Sequence, residues 1–153
     1  MSMPSVAVDM DGVLVKYREA HQRALKKNPE IIYPQMSYGF YANLEPVEDA
    51  QWAWTELNSV GFDMHILTTP SVLNPLSYTE KRISVEKLFG LDACYKLNMG
   101  CDKSMWIGDY LIDDNTHTNK QHLFQGELIH FTSDKFLNWK TVVAYLKTKH
   151  NLY

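Results

Sequence analysis

Residues 4–15 read PSVAVDMDGVLV, an apolar, β-branched run that ends in two aspartates separated by one residue and followed by glycine. Val6, Ala7 and Val8 have the near-continuous hydrophobicity of a strand buried on both faces of a parallel sheet. Asp9 and Asp11 then crowd two carboxylates at its carboxyl end, where like charges repel unless a cation lies between them. Gly12 frees the backbone for a tight turn. Ligands of open α/β sheets bind beyond the carboxyl ends of the strands, so this one segment predicts both a fold class and the place of its chemistry.

Downstream, strand and helix signals alternate. Residues 17–28 (YREAHQRALKKN) have helical composition and stop before Pro29, which disfavours helix at the residue preceding it. Residues 29–43 (PEIIYPQMSYGFYAN) are too apolar for a linker and too broken by Pro and Gly for a long element. They suit a short cap over a site, an insertion at about 16–45 within a single domain of residues 1–153. Glu45-Pro46 is expected to open a helix through Val60, with Val47, Ala50, Trp54 and Leu57 near helical spacing and Gly61 beyond its end. A strand at 62–67 runs into Thr68 and Thr69, a helix at 78–89 is closed by Gly90, and 94–97 is a short third strand. Residues 105–114 contain a fourth strand that again ends in acids, 128–131 a fifth, and 136–149 a terminal helix. The alternation predicts α/β architecture: a three-layer, Rossmann-like parallel sheet with helices on both faces.

Length and composition narrow the function. A chain of 153 residues with 45% hydrophobic and 22% charged content can bury one ordinary core. No run approaches the roughly 20 apolar residues of a membrane span, and MSMPSVAVDMD does not resemble a secretion signal, so the expected location is cytoplasmic. Cys94 and Cys101 offer no disulfide framework and no zinc spacing. His117 and His122, five residues apart, do not suit a helical ligand pair and read as solvated. The formal charge of −3 disfavours long nucleic acid as a partner, while lysines gathered in one cleft could still hold a small phosphate ester. Beyond Gly126 no chemistry is legible; Phe131, Phe136, Trp139 and Leu146 read as core or as an association surface, which keeps a homodimer open.

Four elements stand at predicted strand ends: Asp9 with Asp11, Thr68, Lys103, and the acids of GDYLIDD at 108–114. Each has a task in the hydrolysis of a phosphate monoester. A carboxylate such as Asp9 can attack phosphorus and divide one slow displacement into two easier ones. Mg²⁺, which favours an all-oxygen shell, suits strand-end acids. Asp11, two residues on in extended chain, lies on the same side as Asp9 and can serve as acid and then as base. Thr68 offers a hydroxyl and neighbouring N–H groups to phosphate oxygens, and Lys103 a cation. Among the later acids Asp114 is favoured as metal ligand with Asp113 as its partner, and Asp109 is the competitor.

Taken together, these residues resemble the four motifs of the haloacid dehalogenase-like hydrolase superfamily: DMDGV at 9–13, ILTT at 66–69, Lys103, and the acids ending at Asp114. Within it, LEP at 44–46, TTP at 68–70, YTEKRISVEKLFG at 78–90, DKS at 102–104 and GDYLIDD are similar to the 5'(3')-deoxyribonucleotidase family, and the likeness covers most of residues 4–115. The resemblance implies Asp9 as nucleophile, Asp11 as acid/base, and Mg²⁺ held by the Asp9 carboxylate, the Asp11 backbone carbonyl and Asp114. It implies Thr68, Thr69 and Lys103 as phosphate-binding, with Lys81 supporting the same site; the residues alone would allow Lys81 to be an exposed helix lysine. In that family a cap supplies aromatic rings that stack on the base. Here the interval is shorter, and Phe40 and Tyr41 are placed for that role or for packing beneath the cap.

The function expected is a Mg²⁺-dependent phosphatase of (deoxy)ribonucleoside monophosphates acting through an aspartyl-phosphate. The alternatives are a phosphatase of another small phosphate ester or a nucleic-acid end, and a non-catalytic phosphate- or metal-binding module.

Overall fold

The computed structural model describes residues 2–153. β1 (Ser5–Val8), β2 (Asp63–Thr68), β3 (Leu97–Met99), β4 (Tyr110–Asp113) and β5 (Glu127–His130) form one sheet in the order β3-β2-β1-β4-β5. Every neighbouring pair is parallel. The central position of β1 explains its composition: Val6, Ala7 and Val8 are fully buried because strands and packing layers enclose them from all sides. The helices are α1 (Tyr17–Lys27), α2 (Ala50–Ser59), α3 (Leu76–Phe89), the single turn α4 (Leu91–Cys94) and α5 (Trp139–Lys149).

Alternate residues of each strand face different layers. Val6, Val8, Met64, Ile66 and Ile112 join Ala53 and Leu57 of α2, Val85 of α3, and Trp139, Val142 and Leu146 of α5 in the main core. On the other face Ala7, Leu67 and Leu111 meet a smaller cluster built from Phe124, Trp106 and Leu128. Residues 100–109 and 114–126, which supply those two aromatic rings, are short connections rich in Gly, Asp and Asn. They form 3-10 turns at Lys103–Met105 and Gln121–Leu123, so the expected second helical layer is thin here. Phe131, Phe136, Trp139 and Leu146 are all buried, which assigns them to the core and not to an exposed surface.

Several boundaries differ from the sequence expectation, including a terminal helix that begins at Trp139 and not at 136, and two of the differences have clear local physical reasons. The helix anticipated from Glu45 begins only at Ala50. Lys16 N–H donates to the Glu45 carbonyl at 2.8 Å and Val47 N–H to that of Leu14 at 2.9 Å, so 45–47 is held extended against 14–16, and Asp49 then turns with φ 62°. The third strand starts at Leu97 and not at Cys94, because Gly90 at φ 90° ends α3 and the chain makes one more helical turn before entering the sheet. Residues 28–49 contain 3-10 turns at Pro34–Met36 and Tyr41–Asn43 but no longer regular element. Among the described residues, no helix is long and apolar enough to cross a membrane.

Candidate active site

Strand register brings the acids together. Val8 pairs with Ile66 of β2 and Ile112 of β4, so the next residues along β1 and β4, Asp9 and Asp113, emerge side by side at the carboxyl edge. Asp9 N–H donates to the Ile112 carbonyl at 2.8 Å, which anchors the start of the loop. Carboxylate oxygens of Asp9, Asp113 and Asp114 all lie within 4.8 Å of one another. Asp109 is elsewhere: it accepts from the backbone N–H and hydroxyl of Ser5, at 2.8 and 3.0 Å, at the opposite end of β1.

The turn after β1 is shaped for close approach. Gly12 has φ 85°, and a Cβ there would lie 2.3 Å from Oδ2 of Asp114, so only glycine allows the two loops to meet without displacing that carboxylate. The indole Nε1–H of Trp139 donates to the Val13 carbonyl at 2.9 Å and ties the same turn to α5.

Two buried lysines organise the acids. Lys103, 1% exposed, donates to Oδ1 of Asp9 and to Oδ2 of Asp113, each at 2.6 Å. Gln121 donates to the same Asp113 oxygen at 3.2 Å, and Asn115 N–H donates to the other at 2.9 Å. Both Asp113 oxygens are thereby engaged by protein donors, which makes Asp114, half-buried beside Gly12, the freer of the pair. Lys81 of α3, fully buried, donates to Oδ2 of Asp11 at 2.8 Å and to the Thr68 hydroxyl at 2.9 Å. Oδ1 of Asp11 is buried without a hydrogen-bond partner among the described residues.

Four carboxylates (Asp9, Asp11, Asp113, Asp114) face two ammonium groups (Lys81, Lys103), leaving two negative charges unbalanced in a confined volume. Burial pushes the Asp9 carboxyl well above the usual carboxylate range; Lys103 opposes the shift, and repulsion from Asp113 and Asp11 adds to it. Burial and Asp113 likewise push Asp114 up. Burial also works against the charge on Lys103, but its contacts with Asp9 and Asp113 prevail and hold its pKa above the usual lysine value. Clustered hard oxygen donors with an excess negative charge fit a divalent cation of the Mg²⁺ type.

Two adjoining cavities open onto these groups. The smaller, about 310 Å³, is lined by Asp9, Asp11, Thr69, Lys103, Asn119 and Gln121 among others. The larger, about 660 Å³, shares Asp11 and Asn115 with it and is bordered by Lys16, Tyr17, Arg18 and Asn138. Of the residues anticipated from sequence, Asp9, Asp11, Thr69, Lys103 and Asp114 line one cavity or the other. Thr68 is fully buried and meets Lys81, while the Thr69 hydroxyl donates to the Gly100 carbonyl at 3.0 Å. Lys81 is not an exposed helix lysine.

Phe40 and Tyr41 line neither cavity. Tyr41 is buried, and the Tyr17 ring packs on both, with centroids 5.6 Å from Phe40 and 6.1 Å from Tyr41. The rings that line the larger cavity are those of Tyr17, His21 and the buried Phe131, and of these Tyr17, which sequence reading had absorbed into a helix by composition, is the one that packs on Phe40 and Tyr41. Its position eight residues after Asp9, at the start of α1, was the available signal. Gln121 carried none, because only the fold of the β4–β5 connection brings it to Asp113, whereas the Asn115 amide reaches Asp113 through a local turn two residues on.

The fold has a counterpart in a crystal structure described as a putative haloacid dehalogenase-like hydrolase from Burkholderia xenovorans, with TM-score 0.55 over the whole of both chains at 11% identity. The five-stranded parallel sheet thus has a haloacid dehalogenase-like fold. No family model matches the chain. A Vibrio phage KVP40 protein named "Putative 5'(3')-deoxyribonucleotidase" is 37% identical over 150 residues, spanning 96% of this chain and 86% of the phage protein. A Bordetella pertussis protein of the same name is 36% identical over 97 residues, or 63% of this chain and 51% of its own length. The chain belongs to the 5'(3')-deoxyribonucleotidase family.

Proposed function

We propose that the protein is a Mg²⁺-dependent phosphatase that hydrolyses (deoxy)ribonucleoside monophosphates to nucleoside and phosphate through an aspartyl-phosphate on Asp9. The observation that carries this reading is the convergence of Asp9, Asp11, Asp114 and Lys103 on adjoining cavities at the carboxyl edge of the sheet. Family membership supports the substrate class.

Asp9, the Asp11 backbone carbonyl and Asp114 would hold Mg²⁺, which when bound supplies the positive charge that lets an anionic phosphate approach clustered carboxylates. Phosphate enters the smaller cavity, where Lys103 offers a cation and the Thr69 hydroxyl would turn from the Gly100 carbonyl to donate to a phosphate oxygen. One carboxylate oxygen of Asp9 forms a bond to phosphorus as the phosphorus–oxygen bond to the nucleoside breaks. Asp11 gives its proton to the departing oxygen. A water then loses a proton to Asp11 as it attacks phosphorus, the Asp9–phosphorus bond breaks, and inorganic phosphate leaves with both side chains restored. Lys81 holds Oδ2 of Asp11, and Oδ1, buried and without a partner among the described residues, would turn toward the cavity to carry this proton. Thr68 acts through Lys81.

The nucleoside lies in the larger cavity against Tyr17, with Phe40 and Tyr41 backing that ring; stacking of this kind is worth about 1–3 kcal/mol per base. In this reading residues 16–45 are the cap of a single domain, and the free Cys94 and Cys101 fit a reducing cytoplasmic setting. Lys16 and Arg18 at the same cavity favour, as a second substrate class, a phosphate at a nucleic-acid end. The test is phosphate release from a panel of nucleoside monophosphates and short phosphorylated oligonucleotides, before and after EDTA, with Mg²⁺ restored. Metal-dependent release from the mononucleotides is expected. Release from none of them defeats the proposal.

A further inference from the structure

We infer that Glu80 is a positioning residue that locks the cap onto the catalytic layer, with its neighbour Lys81 coupling that lock to Asp11; the inference rests on the phosphatase reading above. Glu80 lies on α3 and is only 6% exposed, an unusual place for a carboxylate. Its partners are backbone amides. Gly39 N–H donates to Oε1 and Tyr41 N–H donates to Oε2, the latter at 3.1 Å. Tyr41 opens the 3-10 turn Tyr41–Asn43, whose first amides have no partner within the turn, so the carboxylate satisfies donors that burial would otherwise leave bare. Gly39, at φ 86°, gives the backbone the conformation in which its own amide reaches the same side chain, and Asn43 Nδ2 closes the loop on the Gly39 carbonyl at 2.9 Å.

The next residue on the helix faces the other way in function. Lys81 grips Asp11 and Thr68, and its ammonium lies 4.8 Å from the centre of the Tyr41 ring. Tyr41 is thus held by its backbone from Glu80 and by its ring from Lys81. The ring also supports Tyr17, one of the rings that line the larger cavity. Two consecutive side chains on one rigid helix therefore fix the wall that a nucleoside leans on and the residue that moves its proton. A substrate that needs that wall should depend on Glu80 more than a small ester that fills only the phosphate cavity.

The experiment compares the Mg²⁺-loaded 153-residue protein with E80Q, whose amide can accept from one N–H but sets its own NH₂ against the other. Amide hydrogen exchange is read by NMR, and kcat/KM is measured for a nucleoside monophosphate and for a small aryl phosphate. The expected result is exchange about tenfold or more faster at Gly39 and Tyr41 with β1 and β2 amides unchanged. The nucleotide-to-aryl-phosphate ratio of kcat/KM should fall alongside it, chiefly through KM. E80D, which keeps the charge on a shorter arm, should loosen the same two amides less. Unchanged exchange at Gly39 and Tyr41 overturns the inference. So does uniformly faster exchange with an equal loss on both substrates, since that marks a residue of general stability. If the wild-type protein cleaves the aryl phosphate but no nucleotide, the nucleotidase reading fails while the two amides still decide the lock.

Discussion

Replacing Lys103 by methionine tests the electrostatic core of the site. The ammonium is 1% exposed and lies 2.6 Å from an oxygen of each of two buried carboxylates, Asp9 and Asp113. Removing it leaves four site carboxylates with Lys81 alone, and Lys81 bonds to Asp11 rather than to the bereaved pair. Stripping one partner from a buried ion pair costs about 3–5 kcal/mol, because the remaining charge has lost both water and counter-ion. At this chain length 1 kcal/mol moves Tm by about 2–4 °C, so K103M should lower Tm by about 6–20 °C in EDTA at neutral pH. Proton linkage gives a second handle. Asp9 already has a raised pKa in the folded protein, so folding takes up protons there, and stability from this group grows as pH falls through the folded value and is lost as pH rises through it. Loss of Lys103 raises that value further. The deficit of K103M should therefore be greatest at neutral pH, shrink on acidification, and shrink on adding Mg²⁺. Differential scanning calorimetry of both proteins at neutral and mildly acidic pH, with EDTA and with Mg²⁺, measures all three. A Tm within about 2 °C of wild type in EDTA, or a deficit that widens on acidification, would refute the account of Lys103 as counter-ion to the pair.

Three further outcomes follow from the same geometry. Asp9→Asn should reduce turnover by about 1,000-fold or more, since an amide is a poor nucleophile, yet raise Tm in EDTA at neutral pH by relieving a crowded negative cluster; steady-state kinetics and a melting curve check both halves. Gly12→Ala places a methyl 2.3 Å from Oδ2 of Asp114 at a positive φ, so calorimetric titration should show Mg²⁺ affinity falling by about tenfold or more. Trp139→Phe leaves the Val13 carbonyl without its 2.9 Å donor and should cost about 1–3 kcal/mol in urea unfolding; a change under about 0.5 kcal/mol would show that the indole does not anchor the turn.

Much of the site was legible in the chain because its chemistry is local to strand ends. Asp9, Asp11 and Gly12 could be read together, since a buried run that stops at two carboxylates and a flexible residue has few stable uses apart from a metal or anion site. Lys81 was only half legible: a lysine within helical spacing says nothing about whether its helix face is buried. Phe40 and Tyr41 were visible as an aromatic pair, but sequence could not say which ring reaches the cavity, and in the fold Tyr17 does so while Tyr41 is packed beneath it. The choice among Asp109, Asp113 and Asp114 was undecidable by spacing alone. Tertiary contacts separate them, with Asp109 bonded to Ser5 at the far end of β1 and Asp113 occupied by Lys103, Gln121 and Asn115.

By itself the sequence determined a parallel α/β sheet and the residue types at its carboxyl edge, because hydrophobic periodicity and turn chemistry act over a few neighbouring residues. Only the tertiary structure decided which charges neutralise which, as in the pairing of Lys103 with Asp9 across 94 positions of chain and of Lys81 with Asp11 across 70. It likewise decided that Glu80 points at the amides of Gly39 and Tyr41. The physical reason is that burial and pair electrostatics depend on distance in space and on access to water, and neither is a property of any short stretch of the chain.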